Sequence, residues 1–329
     1  MSPASKNNAA WEPTAALQTL RQRARILQNI RDFFEDRGVL EVETPLLSQH
    51  SVTAPYIQSF KSEYQRADGV TQDYYLQTSP EYAMKRLLVA GAGPIYQVCK
   101  SFRNGDQSDI HNPEFTMLEW YRPSFDLEHL MNEMDEFLQF ILNCKRADRF
   151  SYAQLFIQYL NINPFECTID DLKNCAASHH IHVASDTNDF TKDSWLEVLM
   201  GHLIEPQLGL ENPVFIHDFP ASQAALARLD PNNPLVAARF EVYMHGMELA
   251  NGFYELCDAT EQRRRFEEDQ QQRTALGFNP MSIDERLLAA LKQGLPDCSG
   301  VALGIDRLMM IFFETKKIKE ILSFDWNNA

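Results

Sequence analysis

Apolar residues recur at helical spacing through Leu20, Ala24, Leu27, Ile30 and Phe34, and Gly38 follows as a stop, so the ordered chain opens on an amphipathic helix. Residues 39–43 read as a short strand halted by Pro45. A second helix begins at Thr78-Ser79-Pro80-Glu81, where a hydroxyl, a first-turn proline and an acid suit a helix N-terminus, and it runs to Gly91. Residues 96–102 and 115–121 predict two strands joined by the polar loop 103–113, a hairpin with a long tip. Residues 127–142 read as helix. From about 144 to 212 the pattern is mixed and helical, which predicts an insertion.

Strand patterns return at 214–217, 240–244 and 247–256. Asp258 and Glu261 then open a long helix in capping-box fashion. After Pro296 an apolar strand at 301–303 lies between glycines, and Asp306-Arg307 opens the last major helix. Strands joined mainly by hairpins with helices outside them predict an α+β fold, with a mixed, mainly antiparallel sheet flanked by helices. The expected organisation is a flexible leader over 1–14 and one domain over 15–329. Neither GxGxxG nor GxxxxGK[ST] occurs, so a nucleotide would be held by neither common phosphate loop.

Composition narrows the class. The 329 residues are 44% hydrophobic and 23% charged, ordinary for a globular chain able to bury a large core. No run of about 18 apolar residues is present, so no membrane span is expected. The polar N-terminus lacks the apolar stretch of a signal peptide, and the expected compartment is the cytoplasm. Six cysteines without a CxxC pair give neither a zinc spacing nor a disulfide framework. A net charge of −16 disfavours a large nucleic-acid partner, which would need a basic surface.

Three places hold polar residues that a purely structural role explains poorly. Arg103 stands at a strand end with aromatic Phe115 on the facing strand, an arrangement suited to a phosphate and a stacked base. Glu241 and Glu248 flank the turn at His245-Gly246; if that pair forms the tip, 241 faces 250 and both acids share a face, where a hard cation such as Mg²⁺ relieves their repulsion. Gly300-Val301-Ala302-Leu303-Gly304 allows close approach to its strand, and Arg307 at a helix start opposes the helix dipole, which suits anion binding or a salt bridge with an acid such as Asp306.

These stretches resemble the class II aminoacyl-tRNA synthetases. Residues 103–121 resemble their motif 2 and 300–307 their motif 3, while the helix and strand ending at Pro45 resemble the dimer-forming motif 1. Thr78-Ser79-Pro80-Glu81, His111-Asn112-Pro113-Glu114-Phe115-Thr116-Met117 and Glu248-Leu249-Ala250-Asn251-Gly252-Phe253 are similar to the lysine subclass. The resemblance covers roughly 15–325 and is weakest in the insertion. It implies an ATP site using Arg103, Asn104, Asp106, His111, Phe115, Glu241, Glu248 and Arg307, with adenine between Phe115 and Arg307, Arg103 on the α-phosphate and Arg307 on the γ-phosphate. Glu241 and Glu248 would hold Mg²⁺. Glu81, Glu119, Tyr121, Asn251 and Glu255 match lysine-recognising positions, with Glu255 and Glu119 assigned to the distant ammonium and Glu81 to the nearer one.

Two departures matter. The first catalytic helix begins near the start of the sequence, so no anticodon-reading domain is expected, and the chain carries Glu-Trp-Tyr-Arg-Pro at 119–123 and Ala302 where α-lysine synthetases have glycine. It thereby resembles a branch of the subclass that activates (R)-β-lysine and passes it to a lysine side chain of elongation factor P; the Ala302 methyl would crowd the pocket floor and favour the β isomer. Motif 2 usually reads Arg-x-Glu, whereas here Gly105 takes the acid's place and Asp106 follows. The resemblance also implies a homodimer. Charging of tRNA with lysine by means of a separate anticodon reader, or a silent synthetase paralogue acting as a binding module, remain open readings of the same residues. If Glu248 is to share a face with Asn251 and Glu255, a β-bulge at Asn251 or Gly252 is required.

Overall fold

The computed structural model describes residues 11–183 and 190–329; residues 1–10 of the expected leader and 184–189 of the expected insertion lie outside the described residues. Helix α1 (Leu17–Glu35) forms where the apolar spacing places it, burying Ile26, Ile30, Phe33 and Phe34. After Gly38, at φ 64°, comes β1 (Leu40–Glu41), only two residues long. A separate sheet then forms from β2 (Leu47–Ser48), β3 (Lys61–Gln65) and β4 (Thr71–Leu76), in the order β2-β4-β3. β3 is exposed throughout, so no alternation of buried and exposed positions announces it in the sequence.

Helix α2 (Glu81–Val89), strands β5 (Ile95–Phe102) and β6 (Glu114–Pro123) and helix α3 (Leu127–Leu142) follow the pattern closely. Asp126 caps α3 by accepting from the His129 amide. The insertion contains β7 (Asp148–Ser151), α4 (Tyr152–Leu160), α5 (Ile169–Ser178) and α6 (Lys192–Leu199). It is therefore not wholly helical: β7 pairs in parallel with β8 (Val214–Pro220) at the edge of the main sheet. The chain continues through β9 (Leu229–Asp230), β10 (Asn233–Met244), β11 (Met247–Tyr254), α7 (Ala259–Ala275), α8 (Glu285–Gly294), β12 (Cys298–Gly304) and α9 (Ile305–Phe312).

Among the described residues the main sheet has nine strands, in the order β1-β5-β6-β12-β11-β10-β8-β7 with β9 beside β10. Its two outermost pairs are parallel and the inner ones antiparallel, in agreement with the expected mixed, mainly antiparallel α+β class. Alternation along the strands separates two faces. Leu118, Trp120, Val301, Leu303, Ala250, Val242 and Phe240 enter the main core with residues of α1, α3 and α9. Burying each such large side chain contributes about 1.5–3 kcal/mol. The opposite face carries Glu119, Tyr121, Gly300, Ala302, Asn251 and Glu241, neighbours across four adjacent strands. This polar face is the floor of the site.

The described end of the expected leader is fastened to the C-terminal segment. The amides of Thr14 and Ala15 donate to Ser323 O at 2.7 Å and Leu322 O at 3.0 Å, and Asn328 Nδ2 donates to Glu12 O at 2.9 Å, so the chain is fastened from Glu12 onward. Polar residues obscure this because backbone groups make much of the fastening, joined by the Asn328 side chain. Among the described residues, no helix is long and apolar enough to cross a membrane, and all six cysteines are unpaired.

Candidate active site

The β10–β11 hairpin decides which acids share the floor. Its register runs Glu241↔Asn251, Val242↔Ala250, then shifts to Tyr243↔Glu248, so Glu241 faces residue 251 and not 250. Leu249 is the extra residue of a bulge, and both Leu249 and Ala250 turn into the core. The bulge therefore lies ahead of Asn251 and Gly252, and it brings Glu248 onto the face of Asn251. Gly252 sits in regular register because of space: a Cβ there would lie 2.4 Å from the Phe240 ring.

At one end of the floor Glu81, Glu119 and Glu255 converge. Glu119 and Glu255 are 2% and 1% exposed. Tyr121 Oη donates to Glu119 Oε1 at 2.6 Å and Ser79 Oγ to Glu119 Oε2 at 2.8 Å. Lys85 Nζ lies 2.6 Å from both Glu81 Oε1 and Glu255 Oε2. Gly300 makes this packing feasible, since a Cβ would lie 2.3 Å from the Tyr121 ring and 2.7 Å from Glu255 Oε1. Ala302 lies between Glu119 and Asn251 in register and presents its methyl to the same floor. Burial raises Glu119 to about 7, with Glu81 adding repulsion, and raises Glu255 to about 8 against the opposing pull of Lys85.

The other end collects cations. Arg103 lies 5.3 Å over the Phe115 ring, and its Nε is buried without a hydrogen-bond partner. Arg307 donates through Nη1 to Glu248 O at 2.7 Å and pairs through Nη2 with His111 Nε2. Burial and Arg307 lower the His111 pKa, so the ring is neutral, with Nε2 accepting and Nδ1 bonded to Ser108 Oγ at 2.8 Å. Arg307 is not paired with Asp306. That acid is taken by Arg23 of α1 at 2.7 Å and by the Thr116 amide at 2.7 Å, which frees the guanidinium to face the floor. Asn104 is exposed, its amide donating to Gln58 O at 2.8 Å. Gly105 turns the loop at φ 92°, a strained conformation for glutamate, and Asp106 approaches closely enough for its charge to raise Arg103 and His111.

Glu241 pairs with Arg239 and accepts from Tyr243 Oη at 2.8 Å; burial first, then Glu248, raises it to about 7. Glu248 is half exposed, 3.6 Å from Arg307 Nη1. Glu205 accepts from the same Tyr243 hydroxyl at 3.2 Å. This oxygen-rich, mutually repelling set fits a hard cation. Among the described residues no group of three or more His, Cys, Asp or Glu could hold a metal alone. Arg239 was not anticipated, although its position two residues before Glu241 puts it on the same face. It donates to Asn251 Oδ1 at 3.3 Å and to Gln223 O at 2.7 Å. Lys85 also escaped notice, though it stands four residues after Glu81 on one helix, the spacing of an ion pair.

The three raised carboxylates, Glu119, Glu241 and Glu255, predict a stability slope. Each folded pKa exceeds the ordinary 4.5, so between these values the folded chain holds more protons than the unfolded one. Their stabilisation is complete below 4.5 and is lost as pH rises through 7 to 8. The ligand-free protein should melt at a lower temperature at about pH 8.5 than at about pH 6, and Glu119→Gln with Glu255→Gln should flatten that slope. An equal slope in wild type and double variant would show that these acids do not cause it.

Hydrogen-bonded carboxylates thus stand at one end of an antiparallel floor and two arginines at the other. The chain belongs to the class II tRNA synthetase family (D, K and N), whose pattern matches residues 9–328. It is 50% identical over 323 residues to the elongation factor P–(R)-β-lysine ligase of Edwardsiella ictaluri, covering 98% of this chain and 99% of that protein. The proteins of the same name from Proteus mirabilis and Photobacterium profundum are each 50% identical, over 318 and 317 residues, covering 96% and 95% of this chain and 97% of each relative.

Proposed function

We propose that the protein activates (R)-β-lysine with ATP as an aminoacyl adenylate and transfers the acyl group to a lysine side chain of elongation factor P, as a cytosolic homodimer. The observation that carries this reading is the meeting of Glu81, Glu119 and Glu255 at the end of the floor opposite Arg103 and Arg307. A diamino acid bound by its ammonium groups in the carboxylate pocket directs its carboxylate along the floor toward the arginines. Neither tRNA charging nor a silent binding role is favoured, since relatives covered along nearly their whole length carry the ligase name.

Arg103 grips the α-phosphate, where its unpaired Nε gains an acceptor, and Phe115 offers a ring for the adenine. Neutral His111 holds Arg307 in place, and Arg307 closes the other face of the base and reaches the γ-phosphate; Asn104 and Asp106 line the base edge. The amino-acid carboxylate displaces pyrophosphate from the α-phosphorus, and the chain's work is positioning and charge neutralisation, with no protein nucleophile. Glu241 and Glu248 would hold Mg²⁺, which when bound supplies charge neutralisation for the phosphates. In the second step the acceptor's uncharged amine attacks the acyl carbon and AMP leaves, forming an amide.

ATP–pyrophosphate exchange with α-lysine and (R)-β-lysine side by side, followed by transfer of labelled β-lysine to elongation factor P, tests the reading. Exchange favouring the β isomer, with label on the factor, is expected. A preference for α-lysine with label on tRNA would replace this assignment. Ala302→Gly should shift the ratio of specificities toward α-lysine by about tenfold or more, the value of one methyl in a tight pocket. An unchanged ratio would acquit the methyl.

A further inference from the structure

Lys85 lies at the centre of the amine pocket at 2% exposure. It reaches Glu81, on its own helix α2, and Glu255, at the end of β11, and its contact with Glu255 Oε2 is a close but misaligned ion pair that leaves that oxygen without a directed hydrogen bond. The groups around these acids are Ser79 just ahead of α2, Glu81 in its first turn, Gln97 and Cys99 on β5, Glu119 and Tyr121 on β6 and Cys298 on β12; Arg228 stands further out against Asp297. Gln97, 2% exposed and opposite Glu119 in register, has its Oε1 buried with no partner. Three carboxylates less one ammonium leave two negative charges.

We propose that Lys85 is a positioning residue that fixes the charge capacity of the pocket: it permanently neutralises one carboxylate, so that the other two match the two ammonium groups of a diamino acid. This rests on the reading of the chain as an activator of a lysine-type amino acid. It adds a reason for selectivity that lies in charge count and not in contact alone. An amino acid with one ammonium leaves a buried carboxylate uncompensated, which then has to keep a proton. A diammonium ligand expels the protons that burial holds on Glu119 and Glu255, whose values of about 7 and about 8 mean that the ligand-free pocket is partly protonated near neutrality. Gln97 Oε1 supplies an uncharged acceptor for a remaining ammonium hydrogen.

The test is the pH dependence of KM for (R)-β-lysine in pyrophosphate exchange by the full-length wild type, Lys85→Met and Lys85→Arg. In the wild type KM should fall from about pH 6 to about pH 8 and then stay level to about pH 9, because the complex is balanced without protons. Lys85→Met leaves a third carboxylate whose proton the ligand-free pocket keeps to higher pH and the two ammonium groups expel, so its KM should go on falling above about pH 8, by up to about tenfold over the next pH unit, where the wild type is level. Lys85→Arg should restore the level profile. A Lys85→Met profile parallel to wild type overturns the assignment, even if overall activity drops. Should that variant not fold, calorimetry of β-lysine binding to wild type in two buffers of different ionisation enthalpy decides: release of about one proton near pH 7.5 supports the proposal, and no release overturns it. Wild type that exchanges with no lysine-type amino acid would instead defeat the activation reading itself.

Discussion

Arg307→Ala is expected to slow β-lysine-dependent pyrophosphate exchange by about 10²–10³-fold while leaving the melting temperature nearly unchanged. The side chain is held at three points, by Glu248 O, by the Glu248 carboxylate and by His111, so its guanidinium is aimed before any ligand arrives. Such preorganisation removes the cost of ordering the cation at the moment charge redistributes on the phosphates. The residue is bonded to surface-accessible groups rather than to the core, and its loss should not loosen the fold. Arg307→Lys should recover little, since one ammonium cannot contact Glu248 O, His111 and a phosphate in the same fork. A loss below tenfold, with the binding of ATP intact, would mean that Arg103 alone carries the charge stabilisation.

Gly300→Ala should damage the carboxylate end of the site with a single methyl. The new Cβ would stand 2.3 Å from the Tyr121 ring and 2.7 Å from Glu255 Oε1, and neither neighbour can retreat easily: Tyr121 is 2% exposed and tied to Glu119, and Glu255 is 1% exposed and paired with Lys85. Overpacking of this kind costs about 1–3 kcal/mol of stability. Displacing Glu119 and Glu255 together should raise KM for the amino acid by more than tenfold, and KM for ATP much less, because Arg103 and Arg307 lie at the other end of the floor. Melting curves and separate titrations of the two substrates check this. Equal losses for both substrates would show that the strand moved as a whole.

The elements that read most clearly in the sequence are those with one apolar face. The bounds of α3 coincide with its pattern because its buried positions, among them Leu130, Met134, Phe137 and Leu138, recur at helical spacing and Asp126 marks its start. The sheet of β2, β3 and β4 gave no such signal, being largely exposed. Helix α8 could have been found, since Leu287, Leu288 and Leu291 repeat at helical spacing, but its short run lies between a longer helix and a proline. In the site, the motif residues announced themselves through oddity, such as a cation at a helix start. Lys85 and Arg239 did not, because a basic residue near acids reads as an ordinary surface pair until burial is known. The position of the bulge was out of reach for another reason. Sequence parity required one somewhere, but the glycine that pointed to 252 serves the Phe240 ring, and nothing about Leu249 marks it as the extra residue.

That bulge also sets which insertions and deletions the gene can tolerate. Surface hairpins usually accept a lost codon near the tip, because a shorter turn still closes. Here the loss of a single residue between Glu248 and Asn251 would remove the bulge and leave Glu248 on the face of Asn251 by strict alternation, whereas the loss of both would turn it to the opposite side of the sheet, away from Arg307. The hairpin should therefore tolerate one missing residue at this point but not two. Freer length variation belongs beyond Glu248 toward the turn, where it leaves the count between the two side chains untouched.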